Sequence, residues 1–433
     1  MRTTLLLWPA ALLFLHYSIL PTLCAQPPTQ PKAVPTTRAE MLTALEALKL
    51  RTSRLPLPAA SDESSATSEL RPPSSLGVVN NGRMRNAYLP SGLRGGGPAR
   101  QPDPAMQFDQ VFATELFWIV SRVNNCHYCL GHQEAKLKAA GVPENRLLQL
   151  DTDWPAFPAA ERLAFAFAKK LTYAPHRIMD EDVDRLRADF SDEQILEIAF
   201  LVGRFNSTNR WTDSLGIPQE EHRDFKSELA QDSLERTSQV AVLAVSDRAM
   251  PRDFNAWQSS LKQASKRPVR LKMESSQKDV PNYERLLSHF PVAGEQWLEQ
   301  IRQAQIVGEL SAELKENIAF VAALADEAWY MQHRSLIPLR RRGISDRDAF
   351  DFVLHELQPH GPTDSALNVA LRFTAKLTVS PQAITDRDVE RLLTHYTPTQ
   401  VAEIVFHIGI AAFLDRVTEA AGLPWQDELA DLP

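Results

Sequence analysis

Apolar residues recur every three to four positions along three segments between residues 106 and 220. That spacing places them on one face of a helix, and the alternation typical of strands is scarce. Ser191 stands directly before Asp192, Glu193 and Gln194, a combination typical of a helix N-terminus. The pattern predicts an all-α fold, in which the main helical segments read FATELFWIVSRV, ERLAFAFAKKL and EQILEIAFLVGRF.

The helical pattern recurs further along the chain as an internal repeat. Residues 163–218 align without a gap with residues 369–424, with 21 identities over 56 positions. Chance would give about one identity in twenty positions, so the alignment indicates a duplicated domain. We expect the two copies at residues 106–220 and 308–433, packed against each other as a pseudo-dimer in the way that identical subunits pack.

The regions outside the repeat differ from it in composition. Residues 26–105 are rich in Pro, Ser, Thr and Gly, which predicts a partly disordered arm with one short helix around Arg38 to Arg51. Residues 221–307 are polar and of mixed charge, and we expect a connector with some helix there. Residues 1–25 combine an early Arg2 with a short apolar stretch. This is typical of a signal peptide for export to a periplasm or outside the cell, and an uncleaved N-terminal anchor is the alternative.

Composition narrows the classes of function. The chain of 433 residues is 44% hydrophobic and 23% charged, with a formal net charge of −7. This is the composition of a soluble globular protein, and its acidic balance argues against a general binder of nucleic acid or of anionic membranes. No stretch after the N-terminal segment is long and apolar enough to span a bilayer, so no stable membrane insertion is expected after signal cleavage.

Cysteine usage points to one place in the chain. Three cysteines occur, and Cys24 lies in the predicted signal peptide. Cys126 and Cys129 are separated by two residues, and His132 follows one helical turn later. Two thiols this close in an exported protein with no others are expected to react with each other. The second copy holds no thiol at the matching positions, which are Ala328, Met331 and Arg334. Its predicted role is therefore structural.

The residues before the cysteines predict a helix start at Asn124 and Asn125, because asparagine is a favoured N-cap residue. The cysteines would then share one face of the first turns, where free amide groups and the helix dipole stabilise a thiolate. Such placement lowers the pKa of a cysteine from about 8.5 toward 3.5–7.5. His132 could exchange a proton with the Cys129 sulfur, and Glu115 in the preceding helix is a candidate to orient or deprotonate the pair.

A cluster of two cysteines and a histidine can also bind a metal, attach a haem or form a structural disulfide. A zinc site needs about four ligands, and His127 and His132 would have to join the two thiols. A covalently held haem requires a histidine directly after the second cysteine, where Leu130 stands. A purely structural disulfide stays open, although it would close so small a loop that it would stabilise the fold little. No cofactor and no metal are therefore expected.

The segments NNCHYCLGHQEAKLKAAGV, ERLAFAFAKKLT and FNSTNRWTDSLGIP resemble the alkyl hydroperoxidase D (AhpD-like) and carboxymuconolactone decarboxylase superfamily. The resemblance covers both copies of the repeat, about half of the chain. It implies an all-helical fold with a helical hairpin at its centre, and frequent assembly into homo-oligomers.

The resemblance also implies a reaction and a role for each residue of the cluster. In the redox members of the family, two cysteines cycle between dithiol and disulfide while a hydroperoxide is reduced, and a thiol reductant restores them. This would make Cys126 the thiol that attacks the peroxide and Cys129 the resolving thiol. His132 would carry the proton and Glu115 would be the base.

The expected function is thus that of a thiol-dependent peroxidase-like oxidoreductase acting on alkyl hydroperoxides. Two alternatives stay open. One is an enzyme related to the lactone decarboxylases, although such relatives lack the paired cysteines. The other is a non-catalytic binding or scaffold protein of the same fold, which the thiol-free second copy and the long Pro-rich arm favour.

Overall fold

The computed structural model describes residues 31–57, 79–94, 103–243, 250–271, 280–359 and 364–425. Over these residues the chain is helical and contains no strand, so the prediction of an all-α fold is confirmed. The predicted signal peptide, with Cys24, lies outside the described residues. No helix in the described part of the chain combines the length and the apolar content that a membrane crossing needs.

Short and long α-helices follow one another along the described ranges. They are α1 (Arg38–Ala47), α2 (Asn81–Tyr88), α3 (Gln110–Val123), α4 (His127–Ala139), α5 (Glu144–Thr152), α6 (Ala159–Tyr173), α7 (Asp180–Leu186), α8 (Asp192–Ser214), α9 (Gln231–Leu234), α10 (Phe254–Ala264), α11 (Asn282–Leu287), α12 (Ala293–Ile306), α13 (Ala312–Asp326), α14 (Trp329–Arg341), α15 (Asp346–Glu356), α16 (Ala366–Val379), α17 (Asp386–Leu393) and α18 (Pro398–Ala421).

Local sequence sets where the long helices begin. At α8, the Ser191 hydroxyl accepts a hydrogen bond from the Gln194 N–H at 3.3 Å, and the Gln194 side chain accepts one from the Ser191 N–H at 2.9 Å. Thr397 and Gln400 make the same reciprocal pair at α18, at 3.2 and 3.0 Å. Each pair satisfies backbone donors that a helix end leaves without partners, which is why these short motifs start helices.

Helices α8 and α18 pack along each other and are buried over most of their length. A glycine on each helix permits the close approach. A Cβ atom on Gly203 would lie 3.0 Å from the Phe413 carbonyl oxygen, and one on Gly409 would lie 2.8 Å from the Ser207 hydroxyl. Because glycine carries no Cβ, the two backbones can come closer at these crossings than larger residues would allow.

Two buried arginines link the halves of the structure in a reciprocal way. The Arg210 guanidinium of α8 donates to the Thr378 carbonyl of α16 at 2.7 Å. The Arg416 guanidinium of α18 donates to the Thr172 carbonyl of α6 at 2.9 Å. The two contacts are therefore equivalent in the repeat alignment, because Arg210 and Arg416 match each other and Thr172 matches Thr378.

The described part of the segment 26–105 packs closely, unlike the loose arm that its composition predicts. Arg38 of α1, within the predicted short helix, is fully buried and forms a two-point ion pair with Glu134 of α4 at 3.0 and 2.9 Å. The Trp118 indole of α3 donates to the same carboxylate at 2.7 Å. A buried charge must be paired and hydrogen-bonded, and this pair fastens α1 to the helical body.

The connector contributes to the core in the same manner. Trp297 of α12 stacks on Phe413 with ring centroids 4.0 Å apart. Trp257 of α10 donates from its indole to the Gln332 side chain of α14 at 2.8 Å. Helices α9 to α12 lie within this connector.

Candidate functional site

The two cysteines lie at the turn between α3 and α4. Helix α3 ends at Val123, and Asn125 takes a left-handed backbone conformation with φ of 51°. Cys126 is the N-cap of α4, which begins at His127. The prediction that this helix starts at Asn124 and Asn125 is therefore wrong by two residues, because these asparagines form the turn that reverses the chain. Asparagine suits such a turn, since it tolerates positive φ better than most residues.

Both thiols are free and buried, and both reach one hydroxyl group. Thr212 of α8 places its Oγ1 3.2 Å from the Cys126 sulfur and 3.1 Å from the Cys129 sulfur. The same hydroxyl lies 3.1 Å from the Thr208 carbonyl oxygen. A hydroxyl both donates and accepts, so Thr212 can accept from a thiol or donate to a thiolate.

The two thiols differ in pKa. Burial opposes ionisation of both thiols. At Cys126, the hydrogen bonds of Cys129 and Thr212 and the charge of Lys32 together outweigh burial and lower the pKa of Cys126 below the ordinary value. Burial and the hydrogen bond with Cys126 raise the pKa of Cys129 well above that value. The two thiols therefore titrate as a pair rather than independently.

A cavity of about 710 Å³ opens beside the thiol pair. Cys129 lines it with 3% of its surface exposed, whereas Cys126 lies behind Cys129 with none exposed. The volume lies in the range of small-molecule sites. A reactant that enters through this cavity therefore meets the sulfur of Cys129 first.

His132 lines the same cavity, one turn after Cys129, and belongs to a hydrogen-bonded cluster. Its Nε2 lies 3.0 Å from the Glu220 carboxylate, and its Nδ1 lies 3.0 Å from the Arg223 guanidinium. The Tyr128 hydroxyl donates to the other oxygen of Glu220 at 3.0 Å, and its ring packs on the imidazole at 4.4 Å. Burial lowers the pKa of His132 below the ordinary value, with Glu220 acting in the opposite sense. The imidazole is thus a neutral base at pH 7, with a carboxylate beside it to stabilise the charge that it would gain.

The loop after α8 brings Glu220 to this position. Gln219 donates to the Tyr128 carbonyl at 3.2 Å, which holds the loop on the first turns of α4. Gly131 leaves the space, because a Cβ there would lie 2.0 Å from the Gln219 amide nitrogen and 2.9 Å from the Phe225 ring. The absence of a side chain at Gly131 is therefore required by the approach of this loop.

Glu220→Gln is expected to change how stability depends on pH. Burial opposes ionisation of Glu220, but the hydrogen bonds and charges of His132 and Arg223 outweigh it and lower the pKa of this carboxyl to about 2. A depressed folded-state pKa gives stability that is present above the ordinary pKa and lost as the pH falls toward 2. Partial solvent screening at the cavity limits the loss to roughly 1–2 kcal/mol between pH 6 and pH 3. Urea unfolding at several pH values should show this loss in the wild type and a smaller one in the variant; equal slopes would contradict it.

Glu115, the predicted base, is not brought to the thiols. Its buried carboxylate forms a two-point ion pair with Arg146 of α5 at 2.6 and 2.9 Å, and Arg146 also pairs with Glu161 of α6. The preceding residue, Thr114, lines the cavity instead. One residue turns a helical side chain by about 100°, which is enough to direct Glu115 away from the cavity. The structure thus brings together Cys126, Cys129 and His132, and places Glu220 where an acidic partner of the histidine was expected.

The second half of the chain has a smaller cavity at the matching place. Ala328 is the N-cap of α14 with nearly the same backbone angles as Cys126, φ −82° and ψ 91° against −85° and 92°. Met331 and Arg334 line a cavity of about 320 Å³ there. The local backbone is retained although the thiols are not, so this turn does not depend on cysteine for its shape.

Sequence reasoning missed Thr212, Glu220 and Arg223, which contact the cluster. Thr212 had a signal, since it is identical to Thr418 in the repeat alignment. Glu220 had none, because it lies just beyond the last aligned residues and 88 positions after its histidine partner. Among the described residues, no group of three or more His, Cys, Asp or Glu side chains is placed to hold a metal ion.

Comparison with known proteins finds two weak similarities, and no model of a known protein family matches the chain. One hundred residues are 25% identical to the Uncharacterized protein YdfG of Bacillus subtilis (strain 168), covering 22% of this chain and 68% of that protein. Ninety-six residues are 28% identical to the Uncharacterized protein YnjA of Escherichia coli (strain K12), covering 22% of this chain and 52% of that protein. The chain thus spans about half the length of the E. coli relative. Neither name assigns an activity.

Proposed function

We propose that the chain is a thiol-dependent peroxidase that reduces hydroperoxides through a dithiol–disulfide cycle of Cys126 and Cys129. The observation that supports this proposal most is the pairing of two free thiols on one hydroxyl, with one of them on the wall of a cavity that His132 also lines. A structural disulfide needs neither a cavity nor a neutral base beside it. A peroxidase needs both, because its substrate must reach a sulfur that can lose its proton.

Exposure gives the two thiols different roles from those that the family resemblance implies. Cys129 faces the cavity and Cys126 does not, so we assign the attack on peroxide to Cys129 and the resolving role to Cys126. The raised pKa of Cys129 means that its thiol needs a base. His132 lies one helical turn away and takes the thiol proton at Nδ1 when the thiol replaces the Arg223 guanidinium there, and Glu220 on Nε2 stabilises the resulting imidazolium.

The reaction balances in two steps. The Cys129 thiolate attacks the distal oxygen of the hydroperoxide, the O–O bond breaks, and the leaving alkoxide takes the proton from His132 to give an alcohol. Cys129 is then a sulfenic acid, and the Cys126 thiol condenses with it to form a disulfide and release water. Two residues separate Cys126 and Cys129 along the chain, and both sulfurs already lie within hydrogen-bonding reach of Thr212, so bond formation needs little backbone movement.

A thiol or dithiol reductant must restore the pair, with two electrons and two protons per cycle. Its thiolate would attack the disulfide at the Cys129 sulfur, because Cys126 is enclosed. A mixed disulfide with Cys129 would form, and the Cys126 thiolate would leave, followed by attack of a second thiol. Thr212, whose Oγ1 lies 3.2 Å from the Cys126 sulfur, can donate a hydrogen bond to the leaving thiolate.

Peptide mass spectrometry tests the proposal directly. The full chain is treated with one equivalent of hydrogen peroxide, alkylated without reduction and digested. The peptide that contains both cysteines is expected to lose two hydrogens and to resist alkylation, and a dithiol should restore alkylation. Cys126→Ser should instead retain one oxygen on Cys129. Full alkylation of both thiols after peroxide treatment would overturn the proposal and favour the non-catalytic alternative.

We also propose that the chain belongs to the alkyl hydroperoxidase D-like superfamily as a tandem duplication, with the two halves arranged as a pseudo-dimer. This is supported by the equal order of α3 to α8 and α13 to α18, and by the reciprocal contacts of Arg210 and Arg416. Export remains a proposal based on residues 1–25. In an oxidising compartment the reductant would have to be supplied continuously.

A further inference from the structure

Three cations line or adjoin the cavity beside Cys129. Lys136 of α4 and Arg204 of α8 line the cavity, and Arg85 of α2 lies behind Arg204 in a small adjoining space. Among the described residues, no carboxylate forms an ion pair with any of the three. Like charges this close repel, so the arrangement costs free energy in the empty protein.

Electrostatic effects on these groups show how close they are to each other and to the thiol. Burial, together with the charge of Arg204, lowers the pKa of Arg85 to about 10. The same two causes lower the pKa of Lys136. The negative charge of a Cys129 thiolate acts on both groups in the opposite direction. The three cations therefore form one cluster within electrostatic reach of the reacting sulfur.

Arg85 is the most enclosed member of this cluster. It is 7% exposed, and its Nε and Nη1 atoms have no hydrogen-bond partner. Its guanidinium lies over the Trp211 ring, 5.1 Å from the centroid, and over the Phe406 ring at 5.8 Å. Cation–π contacts of this kind compensate only part of the cost of burying a charge.

Two carboxylates also line the cavity, and both accept hydrogen bonds from backbone N–H groups. Asp103 accepts from the Val292 and Ala293 N–H groups at 2.8 and 2.7 Å. Glu197 accepts from the Gln107 and Phe108 N–H groups at 2.7 and 3.2 Å. These contacts hold the chain before α3 and α12 in place, and neither carboxylate forms an ion pair with the three cations in the described part of the chain.

The rest of the lining is largely apolar. Phe117 and Phe205 stack face to face with centroids 3.7 Å apart, and Leu201 and Val111 extend the same surface. A cavity with an apolar body and a few convergent charges is typical of a site for an amphipathic small molecule. The charges select an anion, and the aromatic pair selects an apolar chain or ring.

Building on the peroxidase function proposed above, we infer that this cavity binds a hydroperoxide with an apolar body and a carboxylate, held by Lys136 and Arg204 with its peroxide directed to Cys129. Arg85 adds positive charge behind Arg204. The carboxylate would relieve the repulsion among the cations, so it would contribute to binding beyond its contact with any one of them. Long-chain acids and aryl-substituted acids that carry a peroxide group belong to this class.

Calorimetric titration of the full-length protein tests the inference without peroxide. The probes are octanoate, octanol and inorganic phosphate at pH 7 and low salt. Octanoate should bind at least about tenfold more tightly than octanol, because its carboxylate makes charge-assisted hydrogen bonds that the hydroxyl of octanol cannot make. Phosphate should bind more weakly than octanoate, since it cannot use the apolar wall. Octanoate affinity should also fall as salt is added.

Matched variants locate the carboxylate. Lys136→Gln and Arg204→Gln should each weaken octanoate binding about tenfold and leave octanol binding unchanged, which also reports that the cavity is intact. Lys138→Gln, two positions along α4 and outside the cavity lining, should leave octanoate binding as in the wild type. Should Arg204→Gln fail to fold, the exposed Lys136→Gln decides alone.

The outcomes separate this inference from the peroxidase proposal. If octanoate binding depends on Lys136 but the thiols do not oxidise, the anion site is supported and the peroxidase proposal is overturned. If the thiols oxidise but octanoate and octanol bind equally well, the peroxidase proposal is supported and the anion-site inference is overturned. Phosphate binding as tight as octanoate would also overturn it, because the site would then select charge alone.

Discussion

Cys129→Ser is expected to lower the rate of hydroperoxide consumption by roughly three orders of magnitude or more, as replacement of a catalytic nucleophile commonly does. The serine hydroxyl is not ionised near neutral pH, and the remaining thiol of Cys126 is enclosed behind residue 129 with no exposed surface. The measurement is hydroperoxide loss in the presence of a dithiol reductant, followed in parallel with a single-turnover assay without reductant. Both assays should lose activity together, because the first chemical step is blocked.

Cys126→Ser is the informative partner of this variant. It should keep the first turnover, because Cys129 still faces the cavity, and it should stop at the sulfenic acid, which a diketone probe will trap. Met331→Ser, at the position of the second half that matches Cys129, should leave consumption unchanged. If the two cysteine variants showed the reverse pattern, exposure in the dithiol state would not decide which sulfur attacks. If neither lost activity, the cycle would be excluded.

Arg416→Ala is expected to lower the free energy of unfolding by about 3–5 kcal/mol. The Arg416 guanidinium lies 2.7 Å from the Asp326 carboxylate, and both side chains are fully buried. It also donates to the Thr172 carbonyl of the other half. Removing the cation leaves Asp326 buried beside Asp415, whose pKa is already raised well above its ordinary value by burial and by Asp326. Breaking a buried ion pair by removing one partner is costly, so the loss should exceed that of a deleted surface pair.

Urea unfolding followed by circular dichroism measures this loss. Arg302→Ala is the matched control, because it deletes a pair with Glu284 of similar length, 3.0 Å, whose arginine is half exposed. The control should change stability by no more than about 1 kcal/mol. A loss below that level for Arg416→Ala would mean that solvent reaches the Asp326 carboxylate and that the pair does not fasten the halves together.

The helical pattern and the spacing of the cysteines could be predicted because both depend on near neighbours in the chain. Capping pairs such as Ser191 with Gln194 are three residues apart, and so are Cys126 and Cys129. The start of α4 was displaced for a local reason as well. Asparagine favours both a helix N-cap and a left-handed turn, and here Asn125 adopts the turn.

The electrostatic part of the site could not be predicted in this way. His132 meets Glu220 across 88 positions, and Arg85 approaches Arg204 across 119 positions. Glu115 is a second example. The helical pattern predicts that Glu115 lies in α3, but it does not predict that its carboxylate forms an ion pair with Arg146. Composition alone also gave no sign of the packing of the segment before α3, where Arg38 and Met84 are buried within a Pro-rich region.

By itself, the sequence determined that this protein is helical, that its helices recur, and that two thiols and a histidine stand one turn apart. These properties follow from interactions over a few residues, which a linear pattern records. The tertiary structure alone decided that Cys129 rather than Cys126 faces a cavity, that Glu220 rather than Glu115 accompanies the histidine, and that three cations gather beside the sulfur. Burial and long-range charge contacts arise only when distant segments pack, and helical periodicity carries no record of which segments meet.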